Sequence, residues 1–374
     1  MIEIGILEIF HHWDSVYIFS RVCKTKNSNV TIFTTPEIYF QLKRGLKDKI
    51  NEYNFHIKEK KESKRSFLKK VEKICNEKID LLFINTIPHD GKQWMKFLSF
   101  KPRCKQILNV HEIKHWMNPT IIMKISNPIG TMNNNIKAVF RKILLPRYVG
   151  INLMYPPMKK YLDEYNMYDK PVFTIGFLCE KPIKTLDEKI VNIIIHGRIK
   201  DDRGDYKGLL DVFEKLFLNY KNFSLTLLGY PIGNYGIQII NRCKKLKKQG
   251  YKIKWFESFI DLSDWEENFK KANLAICPIE VKVKIMGKYI GSGIFYDSCR
   301  YPTPLLVPSE MPVADDFKTS TKTYKDMDDL FEILKNLIIK KSELNNLQKY
   351  AVENSLKFTP EKLQTDFLNK IKEL

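Results

Sequence analysis

The chain has 374 residues, of which 44% are hydrophobic and 12% aromatic. This composition indicates a folded protein and excludes an intrinsically disordered one. Because a single hydrophobic core rarely serves more than about 250 to 300 residues, the length predicts two domains. The net charge is +20 and is unevenly spread: residues 1–176 carry 30 basic and 16 acidic side chains, a net +14, and the rest of the chain carries +6.

The sequence predicts a cytoplasmic protein. The first residues, Met1–Glu8, contain the first predicted strand and lack the charged and then apolar pattern of a signal peptide. No run of about 18 apolar residues is present, so no membrane span is predicted. The seven cysteines are scattered and form no close pair, which indicates reduced thiols.

Strands and helices alternate along the chain, which predicts an α/β fold with a parallel sheet in each half. The predicted strands are Glu3–Leu7, Asn29–Phe33, Leu81–Asn85, Gln106–Val110, Gly150–Met154, Val191–Ile195, Ser224–Leu228, Lys252–Phe256, Leu274–Cys277 and Pro304–Val307. Two such series of similar size predict two doubly wound, Rossmann-like domains, residues 1–177 and 178–374. The final helix, about residues 359–374, has Thr359 as its expected cap and Pro360 in its first position.

The loop after the first predicted strand is His11-His12-Trp13-Asp14-Ser15. Asp14 or Ser15 is the expected cap of the first helix, because a short oxygen-bearing side chain satisfies the unpaired N–H groups of a helix start.

The basic residues of the first half suggest an anionic partner or a solvated surface. They concentrate in Lys43–Arg44, Lys58–Arg65, Lys69–Lys70 and Ile136–Leu145. The last stretch is amphipathic, which predicts a helix lying on an anionic membrane face with Lys137, Arg141 and Lys142 at the lipid headgroups and Leu144 and Leu145 inserted. A helix that buries its apolar side in the first domain is the alternative. No recognition helix or aromatic ribonucleoprotein motif supports nucleic acid as the partner.

His111-Glu-Ile-Lys-His115 matches the zinc-protease pattern of two histidines one helical turn apart. That pattern needs a helix that continues through both ligands. Here Gln106–Val110 predicts a buried strand running directly into it, and Pro119 follows. We therefore expect no metal at these histidines. A segment with a purely structural role, a loop, is one alternative to the zinc site.

A phosphate site is predicted after Val191–Ile195. This strand leads through Gly197 into a loop that carries Arg198 and Lys207, and a helix follows from Leu209. A helix N-terminus with two fixed cations above it suits a diphosphate. A crossover loop with solvated Arg and Lys side chains is the alternative.

A second segment of this kind begins with Gly291, Ser292 and Gly293, whose backbone amides, with that of Ile294, can approach a ligand closely because glycine lacks a Cβ. Asp297 follows about one helical turn later. A carboxylate at that position can accept hydrogen bonds from two neighbouring hydroxyls. Diphosphate on the amides and ribose on the acid together predict a nucleotide site.

These segments resemble, in order, the C-terminal half of the GT-B glycosyltransferases, and most closely the retaining family 4. The resemblance covers about residues 190–310. It rests on Gly197-Arg198, Lys207-Gly208, Leu225-Thr-Leu-Leu-Gly229, Ala272-Asn-Leu-Ala-Ile-Cys-Pro278 and Ser292-Gly-Ile-Phe-Tyr-Asp297 through Pro304.

The resemblance implies two Rossmann-like domains that face a cleft, with the C-terminal helix crossing back to the first domain. In the family, the equivalents of Arg198 and Lys207 contact the diphosphate of the donor, and the acid at Asp297 holds the ribose. The family's other acid, which touches the sugar, falls on Tyr289 in this chain. Family members often place a histidine such as His111 against the donor sugar.

The loop His11–Ser15 would face the same cleft, where His12, Trp13 or Asp14 would help to seat the acceptor.

The predicted function is a glycosyltransferase that moves a sugar from a nucleoside diphosphate sugar to a glycan or lipid-linked acceptor. We expect a role in surface polysaccharide or glycolipid synthesis, at the inner face of the plasma membrane. Retention of configuration is implied by the resemblance alone. Beyond the donor substrate, no cofactor and no nucleic acid is expected. A sugar-nucleotide epimerase of the same architecture and a non-enzymatic basic binding protein are the alternatives.

Overall fold

The computed structural model describes residues 1–87, 91–113, 116, 138–165, 168–180, 182, 184, 189–202, 204–279, 286–372 and 374. They form two compact units. Unit 1 comprises Met1–Gly176 and Pro360–Leu374, and unit 2 comprises Phe177–Thr359.

Unit 1 is built on a parallel sheet of seven strands in the order β3-β2-β1-β4-β5-β6-β7. The strands are β1 Ile2–Glu8, β2 Ser28–Thr34, β3 Asn54–Ile57, β4 Leu81–Ile84, β5 Lys105–Val110, β6 Gly150–Leu153 and β7 Val172–Phe173. The helices are Trp13–Cys23, Pro36–Leu46, Lys64–Lys78, Gly91–Ser99, Met158–Leu162 and Pro360–Ile371, and residues 138–144 are also helical. The central strands are buried and mainly apolar because helices cover a parallel sheet on both faces.

The helix starts of unit 1 differ in whether a side chain caps them. Thr35 caps Pro36–Leu46 by accepting from the Ile38 backbone N–H. The first helix, however, begins at Trp13 and has no side-chain cap. The expectation that Asp14 or Ser15 caps it is wrong, because both lie inside the first turn, where the Ser15 hydroxyl donates to the His12 carbonyl.

The final helix is anchored to the first helix and to the sheet of unit 1. Gln364 Nε2 donates to the Arg21 carbonyl at 2.9 Å and to the Lys24 carbonyl at 2.6 Å. Phe367 is buried, and its ring centroid lies 5.8 Å from that of Phe83. A hydrogen-bonded and apolar contact therefore holds the end of the chain on unit 1.

The predicted membrane helix has its basic and apolar sides placed differently from our expectation. Arg141 is only 6% exposed, with its guanidinium 5.2 Å from the centroid of the Trp94 ring, and Leu144 is buried. These two residues cannot face a membrane, so that part of the prediction is wrong. Lys142 is exposed, between Val139 and Ile143, which are 46% and 45% exposed. Lys137 lies outside the described residues.

Unit 2 is built on a parallel sheet of six strands in the order β10-β9-β8-β11-β12-β13. The strands are β8 Val191–His196, β9 Phe223–Leu228, β10 Ile253–Lys254, β11 Leu274–Ile276, β12 Leu305–Pro308 and β13 Thr321–Tyr324. The helices are Tyr206–Asn219, Gly233–Lys248, Leu262–Lys271, Gly293–Arg300, Met327–Ile339 and Lys341–Ser355. Its core joins β8, β9 and β11 to the apolar faces of these helices.

All seven cysteines are free thiols, and six of them are buried. Within the described part of the chain, no helix is both long enough and apolar enough to cross a lipid bilayer.

Each sheet has one point at which the strand order reverses, between β1 and β4 in unit 1 and between β8 and β11 in unit 2. In open α/β sheets, ligands bind beyond the carboxyl ends of the strands at such a switch point. We call the carboxyl ends of the strands at these two switch points the unit 1 edge and the unit 2 edge. A functional site is expected at each of them.

Candidate functional site

At the switch point of unit 2, β8 ends in a tightly packed glycine turn. Gly197 has φ of +121°, a conformation that favours glycine. Gly229, at the end of β9, approaches it so closely that a Cβ there would lie 1.7 Å from the Gly197 carbonyl oxygen. The buried Tyr206 holds the turn from below, donating its hydroxyl to the Gly197 carbonyl at 2.7 Å. The backbone beyond β8 is thus fixed before any ligand binds.

Arg198 and Lys207, the two predicted diphosphate ligands, both lie exposed at this edge. Arg198 directly follows the glycine turn. Lys207 stands in the first turn of helix Tyr206–Asn219, whose cap Asp205 accepts from the Gly208 N–H at 2.8 Å. The Lys207 ammonium is 5.5 Å from the centroid of the Tyr235 ring. Two cations and a helix N-terminus therefore share one edge of the sheet.

The predicted amide segment Gly291–Ile294 leads into helix Gly293–Arg300. Ser292 precedes the helix, is buried, and does not cap it. Its side chain instead forms a hydrogen bond with the thiol of Cys277, the residue that follows β11. The first N–H groups of an α-helix have no partner within the helix and carry partial positive charge. Gly293 is exposed, so its backbone is accessible to a ligand.

Asp297, the predicted ribose ligand, is hydrogen-bonded to His196, which the sequence analysis missed. His196 Nε2 lies 2.9 Å from Asp297 Oδ2. The His196 ring is held edge-on against Trp265 and Phe269, with centroids 5.1 and 5.8 Å away. A Cβ at Gly293 would lie 3.3 Å from His196 Cε1, so the histidine also adjoins the helix start. The structure thus brings Gly197, Gly293 and Asp297 together around His196.

At the switch point of unit 1, β1 ends in a fully buried carboxylate. Glu8 accepts from the Phe10 N–H at 2.7 Å, from the Thr86 hydroxyl at 2.5 Å, and from Asn85 Nδ2. Burial raises the pKa of Glu8 to about 7, against the lowering effect of these three donors. All three donors favour the ionised form. The Glu8 carboxylate is therefore hydrogen-bonded within the protein and is not presented to a ligand.

Three asparagines continue this contact across the sheet. We call Glu8, Asn85, Asn109 and Asn152 the amide row. Asn109 Nδ2 donates to Asn85 Oδ1, and Asn152 Nδ2 donates to Asn109 Oδ1, each at 2.9 Å. All four residues are buried. A buried polar group is costly unless it is hydrogen-bonded, and here each one is.

His111, the predicted sugar contact, lies against the amide row. Its Nε2 is 3.0 Å from the Asn85 carbonyl oxygen and 3.2 Å from Asn109 Nδ2. Its ring stacks on that of His12 with centroids 4.2 Å apart, and His12 in turn lies 4.3 Å from the His11 ring. Burial lowers the pKa of His12, and the nearby His11 acts in the same direction.

The other residues predicted for the unit 1 site are Trp13, Asp14 and His115. Trp13 packs against Tyr17 and beside Gly45, and Asp14 is exposed in the first turn of its helix. His115, the second histidine of the zinc-like pattern, lies outside the described residues. Among the residues that the structure does describe, no group of three His, Cys, Asp or Glu side chains is placed to hold a metal ion.

Comparison with known proteins identifies the fold. Neither a protein-family model nor a curated protein matches the sequence. HepE of Anabaena, in complex with UDP and glucose, matches over 100% of both chains with a TM-score of 0.65 at 11% identity. An E. coli trehalose-6-phosphate protein bound with UDP-2-fluoro glucose matches over 100% of this chain and 99% of its own, with a TM-score of 0.60 at 11% identity.

A UDP-N-acetylglucosamine 2-epimerase matches over 95% of this chain and 94% of its own, with a TM-score of 0.53 at 9% identity. Identities this low establish the fold alone. The chain has the GT-B fold of two Rossmann-like domains, as the sequence predicted.

Proposed function

We propose that the chain is a glycosyltransferase that moves a sugar from a nucleoside diphosphate sugar to a hydroxyl of a glycan or lipid-linked acceptor. The observation that carries this proposal is the edge of unit 2 around His196. There, an uncapped helix start at Gly293, a carboxylate at Asp297 and an exposed cation at Arg198 lie beyond the switch point. These are the groups that a ribose and a diphosphate require.

In this reaction the bond between the sugar and the diphosphate breaks, so negative charge develops on the leaving group. Arg198, Lys207 and the amides of Gly291–Ile294 would stabilise that charge through preorganised donors. Because the protein supplies the positive charge, the reaction needs neither a metal ion nor another cofactor. Asp297, oriented by His196, would accept the ribose hydroxyls. UDP in two of the matching structures favours uridine as the base.

His111 would contact the transferred sugar, and retention of configuration follows from the family resemblance. We propose a cytoplasmic enzyme of polysaccharide or glycolipid synthesis that contacts an anionic membrane face through unit 1. Its net charge of +14 and the exposed group Val139, Lys142 and Ile143 support that contact.

Calorimetry with UDP, GDP and their glucose and N-acetylglucosamine conjugates tests the donor site. We expect micromolar to millimolar binding of one nucleotide, lost in the Arg198→Ala, Lys207→Ala double variant. Release of free nucleotide diphosphate on addition of an acceptor then tests transfer. Absence of binding to every nucleotide would contradict the proposal, and binding without turnover would indicate a non-enzymatic binding protein.

An epimerase is the second candidate, supported by the match to a UDP-N-acetylglucosamine 2-epimerase. An epimerase converts its nucleotide sugar without an acceptor. Incubation with the bound nucleotide sugar alone, followed by chromatography of the sugar, distinguishes the two. An isomerised sugar would replace the transferase assignment.

A further inference from the structure

The fold brings two cysteines together at the amino ends of the unit 1 strands, on the opposite side of the sheet from the unit 1 edge. Cys75 lies in the last turn of helix Lys64–Lys78, which leads into β4, and Cys104 directly precedes β5. The two thiols are hydrogen-bonded to each other, although they are far apart in the chain.

Backbone hydrogen bonds on both sides of Cys104 hold this contact in place. The Arg103 N–H donates to Asn76 Oδ1 at 2.7 Å, and the Lys105 N–H donates to the Asp80 carbonyl at 3.1 Å. Both acceptors belong to the end of helix Lys64–Lys78 or to the turn that follows it. The segment that carries one thiol is therefore docked on the helix end that carries the other.

The two thiols differ in exposure and in acidity. Cys75 is 1% exposed, whereas Cys104, of the seven cysteines that the structure describes, is the one that is not buried. The hydrogen bond from the Cys75 thiol, helped by a backbone hydrogen bond, lowers the pKa of Cys104 against the opposing effects of burial and Asp80. The same contact, with burial and Glu72, raises the pKa of Cys75. Because the thiolate is the reactive form of cysteine, Cys104 is the nucleophile of the pair.

We propose that Cys104 and Cys75 form a reversible oxidation site, at which a peroxide converts the two thiols to a disulfide that links helix Lys64–Lys78 to the start of β5. This site is independent of the proposed glycosyl transfer, because the six residues of β5 separate Cys104 from His111. At about 3.3 Å per residue, that separation is about 20 Å.

The reaction has two steps. The Cys104 thiolate attacks one oxygen of hydrogen peroxide, an S–O bond forms, the O–O bond breaks, and hydroxide leaves. The sulfur is oxidised by two electrons to a sulfenic acid, and the peroxide is reduced by two electrons. The Cys75 sulfur then attacks the Cys104 sulfur, an S–S bond forms, and the S–O bond breaks. The departing oxygen leaves as water with the Cys75 thiol proton, so two thiols and one peroxide give a disulfide and two waters.

The contact between the thiols favours the disulfide over further oxidation of Cys104. Cys75 is already in place to attack, whereas a second peroxide has to arrive from solution. The two sulfur atoms have to approach from hydrogen-bond contact to about 2.05 Å. Cys104 can supply this movement because it lies in a bend outside β5.

Peptide mapping tests the site on the wild-type chain. The reduced protein is treated with hydrogen peroxide, the remaining thiols are blocked with N-ethylmaleimide in denaturant, and the peptides are analysed by mass spectrometry. We expect one linked pair, Cys75 with Cys104, lighter by two hydrogen atoms than its separate peptides and reversed by dithiothreitol. Two blocked thiols at these positions would overturn the proposal. A sulfinic acid at Cys104 beside a blocked Cys75, or a Cys104 bond between two chains, would also overturn it.

Two variants separate the roles of the thiols. In Cys75→Ser, the sulfenic acid at Cys104 has no thiol to attack it, so dimedone should trap it and excess peroxide should carry it to the sulfinic acid. In Cys104→Ser, Cys75 should stay reduced because it is buried. Oxidation of Cys75 at the wild-type rate in Cys104→Ser would overturn the assignment of Cys104 as the nucleophile. The wild-type map decides the proposal if Cys75→Ser does not fold.

Cys243→Ser is the matched control. Cys243 is buried in helix Gly233–Lys248 of unit 2, and burial raises the pKa of its thiol to about 12. This variant should form the disulfide between Cys75 and Cys104 at the wild-type rate. Loss of that disulfide in folded Cys243→Ser would overturn the pairing.

Hydrogen exchange measures the effect of the link on unit 1. The disulfide closes a loop of about 30 residues in the unfolded chain, and β4 lies within that loop. Amides of β4 and β5 should therefore exchange at least about tenfold more slowly in the oxidised wild type than in the reduced one. Cys104→Ser should exchange alike with and without peroxide. Equal exchange in the oxidised and reduced wild type would overturn the proposed link between the helix and β5.

Discussion

At the end of β8, unit 2 has glycine backbone, exposed cations and a half-buried His196–Asp297 pair. At the end of β1, unit 1 has instead a buried carboxylate, three buried asparagines and stacked histidines. Both edges are switch points of parallel sheets. The two edges differ in which charged groups are accessible to a ligand. In unit 2 the positive groups Arg198 and Lys207 are exposed, and in unit 1 the carboxylate of Glu8 is hydrogen-bonded inside the protein.

The difference indicates two kinds of ligand. The start of helix Gly293–Arg300, which no side chain caps, and the exposed cations suit a diphosphate, which carries charge. Imidazole rings beside a closed amide network suit a neutral, hydroxyl-bearing ligand, because they exchange single hydrogen bonds with it. We therefore expect changes at the unit 2 edge to act through charge and changes at the unit 1 edge to act through hydrogen-bond geometry.

The largest effect is expected from the cations of unit 2. Arg198→Ala and Lys207→Ala should each cost about 2 to 4 kcal/mol of transition-state stabilisation, because each removes one preorganised charge from the leaving group. Nucleotide release in the presence of acceptor measures the loss. Lys200→Ala is the matched control, since Lys200 lies in the same loop but pairs with Asp202 at 2.6 Å. Near-normal transfer by the double variant would remove the diphosphate from this edge.

The second effect concerns the buried charge of unit 1. Burial raises the pKa of Glu8 from 4.5 to about 7, so the folded state binds this proton more tightly than the unfolded state. The stability from Glu8 is therefore complete below pH 4.5 and is lost as the pH rises to about 7, by about 3 kcal/mol in all. His12, whose pKa burial lowers, acts with the opposite sign, since its stability is lost as the pH falls.

Hydrogen exchange of the β1 and β4 amides at pH 5 and pH 8 measures the stability of unit 1 locally. The free-energy difference between wild type and Glu8→Gln should become less favourable to the wild type by about 3 kcal/mol between these values. The His12 contribution is present in both proteins and cancels. A difference independent of pH would show that Glu8 keeps an ordinary pKa in the fold.

The sequence predicted those site residues that lie next to one another in the chain, and it missed those that only the fold brings together. The unit 2 edge is carried by consecutive residues, such as Gly197-Arg198, and was predicted from them. His196 escaped prediction because its partner Asp297 lies 101 residues away, and a histidine ending an apolar strand has no motif of its own. The amide row was missed for the same reason. Each asparagine is a single polar residue, and only the strand order places the three side by side.

The fold shows the same limit. Buried strands were predicted from their apolar runs, but β3, β7 and β13, all edge strands, were missed. β3 and β13 have partly exposed, polar sequences, and β7 has only two residues. The membrane helix was half wrong because an amphipathic pattern does not say which face is buried. Arg141 is covered by Trp94, a contact between segments far apart in the chain.

A smaller effect is expected at the ribose site. Asp297→Asn keeps the shape of the side chain but loses the charge-assisted acceptor, so nucleotide affinity should fall by about 1.5 to 3 kcal/mol. The rate of transfer at saturation should change less, because a ribose contact is made equally in the ground and transition states. Calorimetry with UDP and with 2′,3′-dideoxy-UDP tests this. The variant should bind the two ligands alike, and a preserved preference for UDP would place the ribose elsewhere.

The smallest effect concerns the outer surface of unit 1, where the charge excess of the chain lies. If Val139, Lys142 and Ile143 contact a membrane, binding should require anionic lipid and weaken with salt, because exposed charges are screened over about 8 Å at physiological ionic strength. Changing all three to serine should release the protein, with Lys142 contributing about 1 kcal/mol. Cosedimentation with neutral and anionic vesicles at low and moderate salt measures it. Lys96→Ser is the control, since Lys96 bonds to Gln93 at 2.9 Å. Equal, negligible binding to both vesicle types would favour a soluble glycan as the acceptor, and would leave the +14 of residues 1–176 as a solvated surface.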